Sequence, residues 1–209
     1  MSNTLLRIIS SIVLLPIFII VMYLNNIYFF LLLILILFLT IYEIKFLFKK
    51  KITFLFLVLL IGLFIFSLFE LRGNDLSDFY YLIWIMSIVW LSDIGGFIVG
   101  RSLKGPKLTI WSPNKTIAGF FGSIIFSQFA FILIYHLQKT TFSLNIFIIQ
   151  LVLCLIAIAG DIFFSFIKRK NNLKDYSKLI PGHGGLLDRI DGLIFVVIFA
   201  HFLKVFDAY

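Results

Sequence analysis

The 209-residue sequence has few charged residues and a single cysteine. Charged residues make up 13% of the chain and hydrophobic residues 62%, whereas soluble domains have about 25% and about 45–50%. This scarcity of polar residues excludes a soluble globular protein. Cys154 lies inside an apolar run and is expected either to face lipid or to fill space between packed helices. The run at 8–24 resembles a signal peptide, but no small residues suited to cleavage follow it, which predicts an uncleaved anchor.

The apolar residues are grouped in seven runs, each close to the length of about 20 residues that crosses a bilayer as a helix. The predicted spans are 6–24, 28–43, 52–69, 79–99, 117–136, 144–167 and 186–205. The runs are continuous rather than alternating, which excludes the strands of a membrane barrel. The sequence therefore predicts an all-α, polytopic transmembrane helical bundle of about seven helices that forms a single domain over 1–209.

The positive charges predict the orientation of these spans. The net charge is +8, but the basic residues lie in short loops between apolar runs. This pattern indicates membrane topology and excludes a nucleic-acid partner. Most Lys and Arg residues fall on one side, in loops around 45–51, 101–115 and 168–178. By the positive-inside rule, this side and the N-terminus face the cytoplasm. The expected location is the inner membrane of a bacterium, with the C-terminus outside.

Four aspartates lie where charge is costly, near the predicted cytoplasmic ends of the spans. Asp93 is in span four, Asp161 in span six, and Asp188 and Asp191 at the start of span seven. Charges within transmembrane segments are expensive and are usually retained for function. The three-residue spacing of Asp188 and Asp191 places both carboxylates on one helical face.

The residues around these aspartates favour a magnesium site. Asp161, Ser165 and Lys168 form one stripe on a helix. Magnesium takes one or two carboxylates together with substrate phosphates, and the nearby lysines suit those phosphates. A buried ion-pair network that only holds helices together remains an alternative.

Two loops could bind anions. The loop Leu179–Gly185 contains three glycines, whose backbone N–H groups can surround a phosphate. His183 within it is expected to contact phosphate or nucleotide rather than a metal, and a structural turn histidine is the alternative. In the second loop, Ser112 is the expected N-cap of a helix with Pro113 at its first position. Lys115 and Thr116 would then form a phosphate site at the helix N-terminus, unless the helix is merely capped there.

The segments 165–169, 174–175 and 180–191 together resemble the signature of the phosphatidate cytidylyltransferase (CDP-diacylglycerol synthase) family. Gly160–Asp161 is similar to a Gly-Asp pair of that family, and 93–119 is similar to its second conserved block. Ala118 departs from that block, which has glutamate there, so no essential carboxylate is expected at 118. Upstream of residue 90 the similarity is limited to hydropathy, charge and Glu43.

The resemblance implies that CTP and phosphatidate (phosphatidic acid) react to give CDP-diacylglycerol and pyrophosphate, with the catalytic half at about 90–209. It implies Asp161, Asp188, Asp191 and Lys168 as catalytic residues, the three aspartates binding Mg²⁺, with room for a second cation. Substrate-binding residues would be Ser112, Lys115, Thr116, Ser165, Arg169, Lys174, Asp175, His183, Gly184, Gly185 and Arg189. Membrane lipids are expected partners, and a homodimer is left open. The alternatives are a cation-coupled transporter and a CTP-dependent lipid kinase.

Overall fold

In a computed structural model, the chain is almost entirely helical. The structure describes residues 3–24, 26–45, 51–141, 143–177, 179–180 and 184–205. Over these residues the helices are α1 (Asn3–Leu24), α2 (Asn26–Lys45), α3 (Lys51–Arg72), α4 (Leu76–Leu103), α5 (Ile117–Ser127), α6 (Ala130–Gln138), α7 (Leu144–Lys170) and α8 (Leu187–Val205). No strand occurs within these ranges, and two isolated β-bridges, Lys107–Thr116 and Ile180–Gly184, close loops.

The predicted all-α membrane bundle is confirmed. Each predicted span contains a helix, and the fifth span is divided between α5 and α6. Within the described residues, five segments are long and apolar enough to cross a membrane: α2, α3, α4, the α5–α6 pair and α7. The chain is therefore a multi-pass membrane protein. Helices α4 and α7 run beyond their predicted ends, through Arg101 and through Lys168–Lys170, because basic side chains are favourable at a helix C-terminus.

A polar side chain of α7 stabilises the break between α5 and α6. At Gln128–Phe129 the backbone turns with i→i+3 hydrogen bonds, a tighter geometry than the α-helix. Gln150 of α7 is buried beside this point. In the amide orientation that satisfies its neighbours, its oxygen accepts hydrogen bonds from Phe131 N at 2.9 Å and Trp84 Nε1 at 3.1 Å. The break is therefore satisfied within the bundle, as the lipid environment requires.

Helices α4 and α5 approach closely through glycines. A Cβ atom added to Gly95 would lie 2.5 Å from the carbonyl oxygen of Gly122, and one added to Gly96 would lie 2.5 Å from Ser123 Oγ. The Ser123 hydroxyl also donates a hydrogen bond to Ser92 O at 2.8 Å. Small residues allow such backbone approach between membrane helices. This contact fixes the part of α4 that carries Asp93 against α5.

Helix α8 is held on several sides at the centre of the bundle. It packs against α3, α4 and α7, and Ile194, Val196 and Val197 are fully buried. Its N-terminus, with Asp188 and Asp191, therefore meets the C-terminal half of α7 and the polar stretch of α4. The aspartates predicted to act together come from these three helices.

Candidate active site

The aspartates line one cavity of about 330 Å³. Helices α4, α7 and α8 and the loop between α7 and α8 contribute to it. The lining residues are Asp93, Asp161, Lys168, Asp175, Asp188, Arg189 and Asp191. The structure thus brings the three predicted metal ligands to a common cavity together with Lys168, Asp175 and Arg189. Their catalytic roles stay predictions.

Asp161 faces the basic residue of the preceding loop. Its Oδ2 forms an ion pair with Lys115 Nζ. Its Oδ1 accepts a long hydrogen bond of 3.4 Å from the Ser165 hydroxyl, one helical turn later, as the predicted stripe on α7 requires. Because the Asp161 side chain keeps 24% of its surface exposed, its oxygens remain within reach of a ligand in the cavity.

Asp188 differs from Asp161 and Asp191 because its oxygens accept three close hydrogen bonds and its side chain is almost fully buried. Oδ1 accepts from Lys168 Nζ at 2.7 Å. Oδ2 accepts from the backbone N–H groups of Tyr176 at 2.8 Å and Gly185 at 3.0 Å. The side chain is only 2% exposed. Asp188 therefore ties the loop before α8 to α7, and it has less capacity than Asp161 or Asp191 to bind a cation.

Asp191 lies one turn further along α8 and remains partly free. Its Oδ2 is 3.9 Å from Lys168 Nζ, beyond hydrogen-bond distance. Its charge interacts with those of Asp161 and Asp93 across the cavity. Like charges brought together away from bulk water favour the binding of a cation or of cationic side chains. Asp191 and Asp161 are thus the best placed carboxylates of the cavity for this purpose.

Tyr176 closes the base of the loop and is not a candidate base. Its ring is buried, with Lys168 Nζ 5.3 Å from the ring centroid, and its hydroxyl donates to Phe164 O at 3.2 Å. Burial raises the pKa of the Tyr176 phenol, and the charges of Asp191 and Asp188 raise it further. The phenol therefore stays protonated near neutral pH and acts as a hydrogen-bond donor.

Glu43, to which no role was assigned from the sequence, is part of this region. It lies near the end of α2 and is only 4% exposed. Its Oε1 accepts from the Ser177 hydroxyl at 2.6 Å and from Leu186 N at 2.7 Å, and its Oε2 accepts from Leu187 N at 2.9 Å. The signal that could have identified it is a lone carboxylate at the end of an apolar span.

The close approach of these carboxylates to the backbone explains the two glycines before α8. Gly184 has a φ of 89°, a region that side chains other than glycine rarely adopt. A Cβ atom on Gly185 would lie 2.9 Å from both oxygens of Glu43 and 3.1 Å from Asp188 Oδ2. The backbone between the carboxylates therefore has no space for a side chain.

We expect Gly185→Ala to lower any activity of this site strongly. The added methyl group would displace both carboxylates from the backbone N–H groups that donate to them. Each buried N–H group left without an acceptor costs about 1–3 kcal/mol. Ala in place of Gly105 is the matched control, since nothing lies within 4 Å of a Cβ atom there; its φ of 110° adds backbone strain alone. Initial rates and melting temperatures of both variants check this, and equal effects would contradict the steric explanation.

Ser112, Lys115 and Thr116 line a second cavity, of about 260 Å³, which also includes Asp93. The prediction that Ser112 caps the following helix is wrong. Helix α5 begins at Ile117, and Thr116 is its N-cap, with Oγ1 accepting from Gly119 N at 3.1 Å. Residues 112–115 instead form a turn, and the backbone bonds Leu108 N to Lys115 O and Ile117 N to Pro106 O keep the chain extended up to the cap.

A third cavity, of about 350 Å³, is mainly apolar. Helices α1, α2, α3, α4 and α8 line it with side chains such as Phe18, Phe64 and Leu193, and Asp93 and Arg189 lie at its polar end. Asp93 lines all three cavities. The apolar cavity thus adjoins the polar cavity of the aspartates at Asp93 and Arg189. From the sequence, Asp93 was identified as a costly charge but was given no role.

Five of the predicted substrate-binding residues that the structure describes do not line these cavities. Ser165 is buried against Asp161. Arg169 is exposed and donates to Leu173 O at 3.2 Å, and Lys174 is exposed in the loop. Gly184 and Gly185 lie at the carboxylates described above. His183 lies outside the described residues.

The donor chemistry of the first cavity fits magnesium. No group of three or more His, Cys, Asp or Glu side chains at metal-binding spacing occurs in the described part of the chain. Magnesium, however, commonly takes only one or two carboxylates and completes its octahedron with phosphate oxygens and water. Asp161 and Asp191 supply such oxygens beside the cationic groups of Lys115 and Lys168.

Comparison with known proteins relates the chain to one family. The profile of the cytidylyltransferase family matches residues 45–206. The phosphatidate cytidylyltransferase of Brucella suis is 36% identical over 129 residues, 61% of this chain and 48% of that protein. The Bacillus subtilis protein of the same name is 36% identical over 64% of this chain and 51% of its own length. The chain therefore spans about half the length of these two relatives. The Rickettsia felis phosphatidate cytidylyltransferase is 33% identical over 98% of this chain and 93% of that protein.

Proposed function

The chain belongs to the cytidylyltransferase family, and from this premise we propose that it is a phosphatidate cytidylyltransferase. It transfers a cytidylyl group from CTP to phosphatidate, which yields CDP-diacylglycerol and pyrophosphate. The observation that carries the proposal is the meeting of a carboxylate-rich and lysine-containing cavity with an apolar cavity at Asp93 and Arg189. A site that joins a water-soluble nucleotide to a lipid needs both environments side by side.

The cavities suggest where each substrate binds. The apolar cavity accepts the acyl chains of phosphatidate, and Arg189 at its polar end binds the phosphate headgroup, since guanidinium groups suit phosphate. The triphosphate of CTP occupies the cavity of the aspartates, next to Lys115 and Lys168. Ser112 and Thr116, which line the adjoining cavity with Lys115, contact the nucleotide.

The reaction needs positioning more than a strong base. A phosphate monoester has a second pKa of about 6, so the phosphatidate oxygen is largely deprotonated at neutral pH. This oxygen forms a bond to the α-phosphorus of CTP, while the bond to the bridging oxygen breaks and pyrophosphate leaves with the electron pair. Lys115 and Lys168 reduce the repulsion between the two anionic substrates and neutralise charge that develops on the leaving group.

Asp161 and Asp191 would hold magnesium, and Asp188 would support Lys168 and the loop. A bound magnesium ion would neutralise phosphate charge and orient the phosphate oxygens. Lys115 forms an ion pair with Asp161 in the structure. When the nucleotide binds, Lys115 leaves this carboxylate and contacts a phosphate group instead.

The site is expected to face the cytoplasm of a bacterial inner membrane. The basic residues of the 101–115 and 168–174 loops lie at the same end of the bundle as the aspartates, and the positive-inside rule assigns that end to the cytoplasm. CTP is available there, and the phosphatidate headgroup lies at the membrane surface.

A labelled-nucleotide assay tests the proposed function. Purified protein in detergent is supplied with magnesium, phosphatidate and CTP labelled at either the α- or the γ-phosphate. Transfer of α-label into a lipid product supports a cytidylyltransferase. Transfer of γ-label to lipid would instead indicate a lipid kinase. Absence of both, with a folded protein, would contradict the proposal and favour a transporter.

A further inference from the structure

Glu43 connects a helix outside the aspartate cavity to the start of α8. It does not line the cavity that contains Asp161 and Asp191. Its two oxygens accept hydrogen bonds from the N–H groups of Leu186 and Leu187, at 2.7 and 2.9 Å, immediately before Asp188. The carboxylate thus caps α8 from another helix, where a negative charge is also favoured by the helix dipole.

A second carboxylate binds the same short segment from the opposite direction. Asp188 Oδ2 accepts from Gly185 N at 3.0 Å and Tyr176 N at 2.8 Å. The backbone at Gly185 is therefore enclosed by Glu43 and Asp188, with no room for a Cβ atom. Because residues 185–187 are held on both sides, the direction in which α8 leaves the loop is fixed, and with it the position of Asp191.

We propose that Glu43 is a positioning residue, which sets the register of the α8 N-terminus so that Asp191 and Arg189 face the substrates. This proposal rests on the proposed function. Glu43 acts through the backbone of residues 186–187 and touches neither nucleotide nor lipid. Its loss should therefore reduce turnover while the binding of CTP, which depends mainly on Lys115 and Lys168, changes little.

The test compares Glu43→Gln with two controls. Glutamine keeps the size but has only one acceptor oxygen, so one of the two N–H groups of α8 loses its acceptor and faces an NH₂ group. Glu70→Gln makes the same chemical change at an exposed site in α3. Ser177→Ala removes one hydrogen bond to Glu43 and leaves both bonds to α8. Each variant is measured for kcat, for KM with CTP, and for hydrogen exchange of the backbone around 184–190.

For Glu43→Gln we expect kcat to fall about 10- to 100-fold, the range seen when a supporting partner of a functional group is removed. The KM for CTP should stay within about twofold of the wild-type value, and exchange should accelerate at residues 186–187. Both controls should keep wild-type kinetics. Glu43→Asp, whose carboxylate is one methylene shorter, should recover part of the lost kcat.

Three results would overturn the proposal. Wild-type kinetics with faster exchange would make Glu43 an anchor without influence on the site. Unchanged exchange would show that the contact does not hold α8. A loss of activity accompanied by faster exchange throughout α7 and α8 would indicate general unfolding. Failure of the proposed function is distinguished from all three, because then the wild-type protein itself would transfer no α-label to lipid.

Discussion

Conversion of Asp191 to Asn is expected to reduce cytidylyl transfer about 100- to 1,000-fold, the usual effect of removing one well-placed electrostatic group. Asp191 Oδ2 lies 3.9 Å from Lys168 and lines the cavity shared with Asp161. Asparagine keeps the shape of the side chain but removes the negative charge that a cation needs. Its amide oxygen can still accept from Gly192 N, the hydrogen bond that Asp191 Oδ1 makes at 2.9 Å.

The effect should therefore be on catalysis and not on the fold. We expect the melting temperature of the Asp191→Asn protein to stay close to that of the wild type, while the α-label assay loses its signal. Asp78→Asn is the matched control, because Asp78 forms an ion pair with Lys204 at the opposite end of the bundle. Substantial activity in Asp191→Asn, with label still entering lipid, would remove Asp191 from the proposed site.

The sequence predicted the helices because their signal is local. Continuous apolar runs with basic loops between them are sufficient to identify spans and their order, and each predicted span contains a helix. The division of the fifth span at Gln128–Phe129 could not be predicted, because no proline or glycine marks it. It depends on Gln150, which is 22 residues away in α7 and satisfies Phe131 N.

The aspartates could be identified from the sequence as a group, but their individual environments could not. Hydropathy shows that Asp161, Asp188 and Asp191 are costly, and helical spacing places the latter pair on one face. Whether a carboxylate oxygen can bind a ligand depends on the loop before α8. Two backbone N–H groups of this loop already donate hydrogen bonds to Asp188 Oδ2. Contacts over long sequence separations, such as that of Glu43 with Leu186 and Leu187, leave no periodic pattern.

The N-cap of α5 shows a related limit. Ser112 followed by Pro113 is a typical helix start, yet the helix begins after Thr116. Tertiary hydrogen bonds decide between the two sites, since the bridge between Lys107 and Thr116 keeps the chain extended. Lys115 and Thr116 line the second cavity, and their binding of phosphate stays a prediction.

Conversion of Asp188 to Asn should abolish activity for a different reason, by destabilising the fold around the site. One oxygen of Asp188 accepts from Lys168 and the other from two backbone N–H groups. An asparagine must direct its NH₂ group at one of these donors, whichever way it is oriented. Breaking a buried ion pair by removing one partner typically costs about 3–5 kcal/mol, so the melting temperature should fall markedly, in contrast to Asp191→Asn.

A double variant separates the structural from the catalytic contribution of Asp188. Adding Lys168→Met to Asp188→Asn removes the buried charge that the single change leaves unpaired, and an apolar replacement of a buried pair is often nearly neutral for stability. We expect the double variant to recover part of the melting temperature and none of the activity, because Lys168 is itself proposed to contact phosphate. If the single Asp188→Asn change left the melting temperature unaltered, Asp188 would not hold the loop to α7. Recovery of activity together with stability would show that neither Asp188 nor Lys168 takes part in the reaction. Their ion pair would then serve only to hold α7 and α8 together, the helices that carry Asp161 and Asp191.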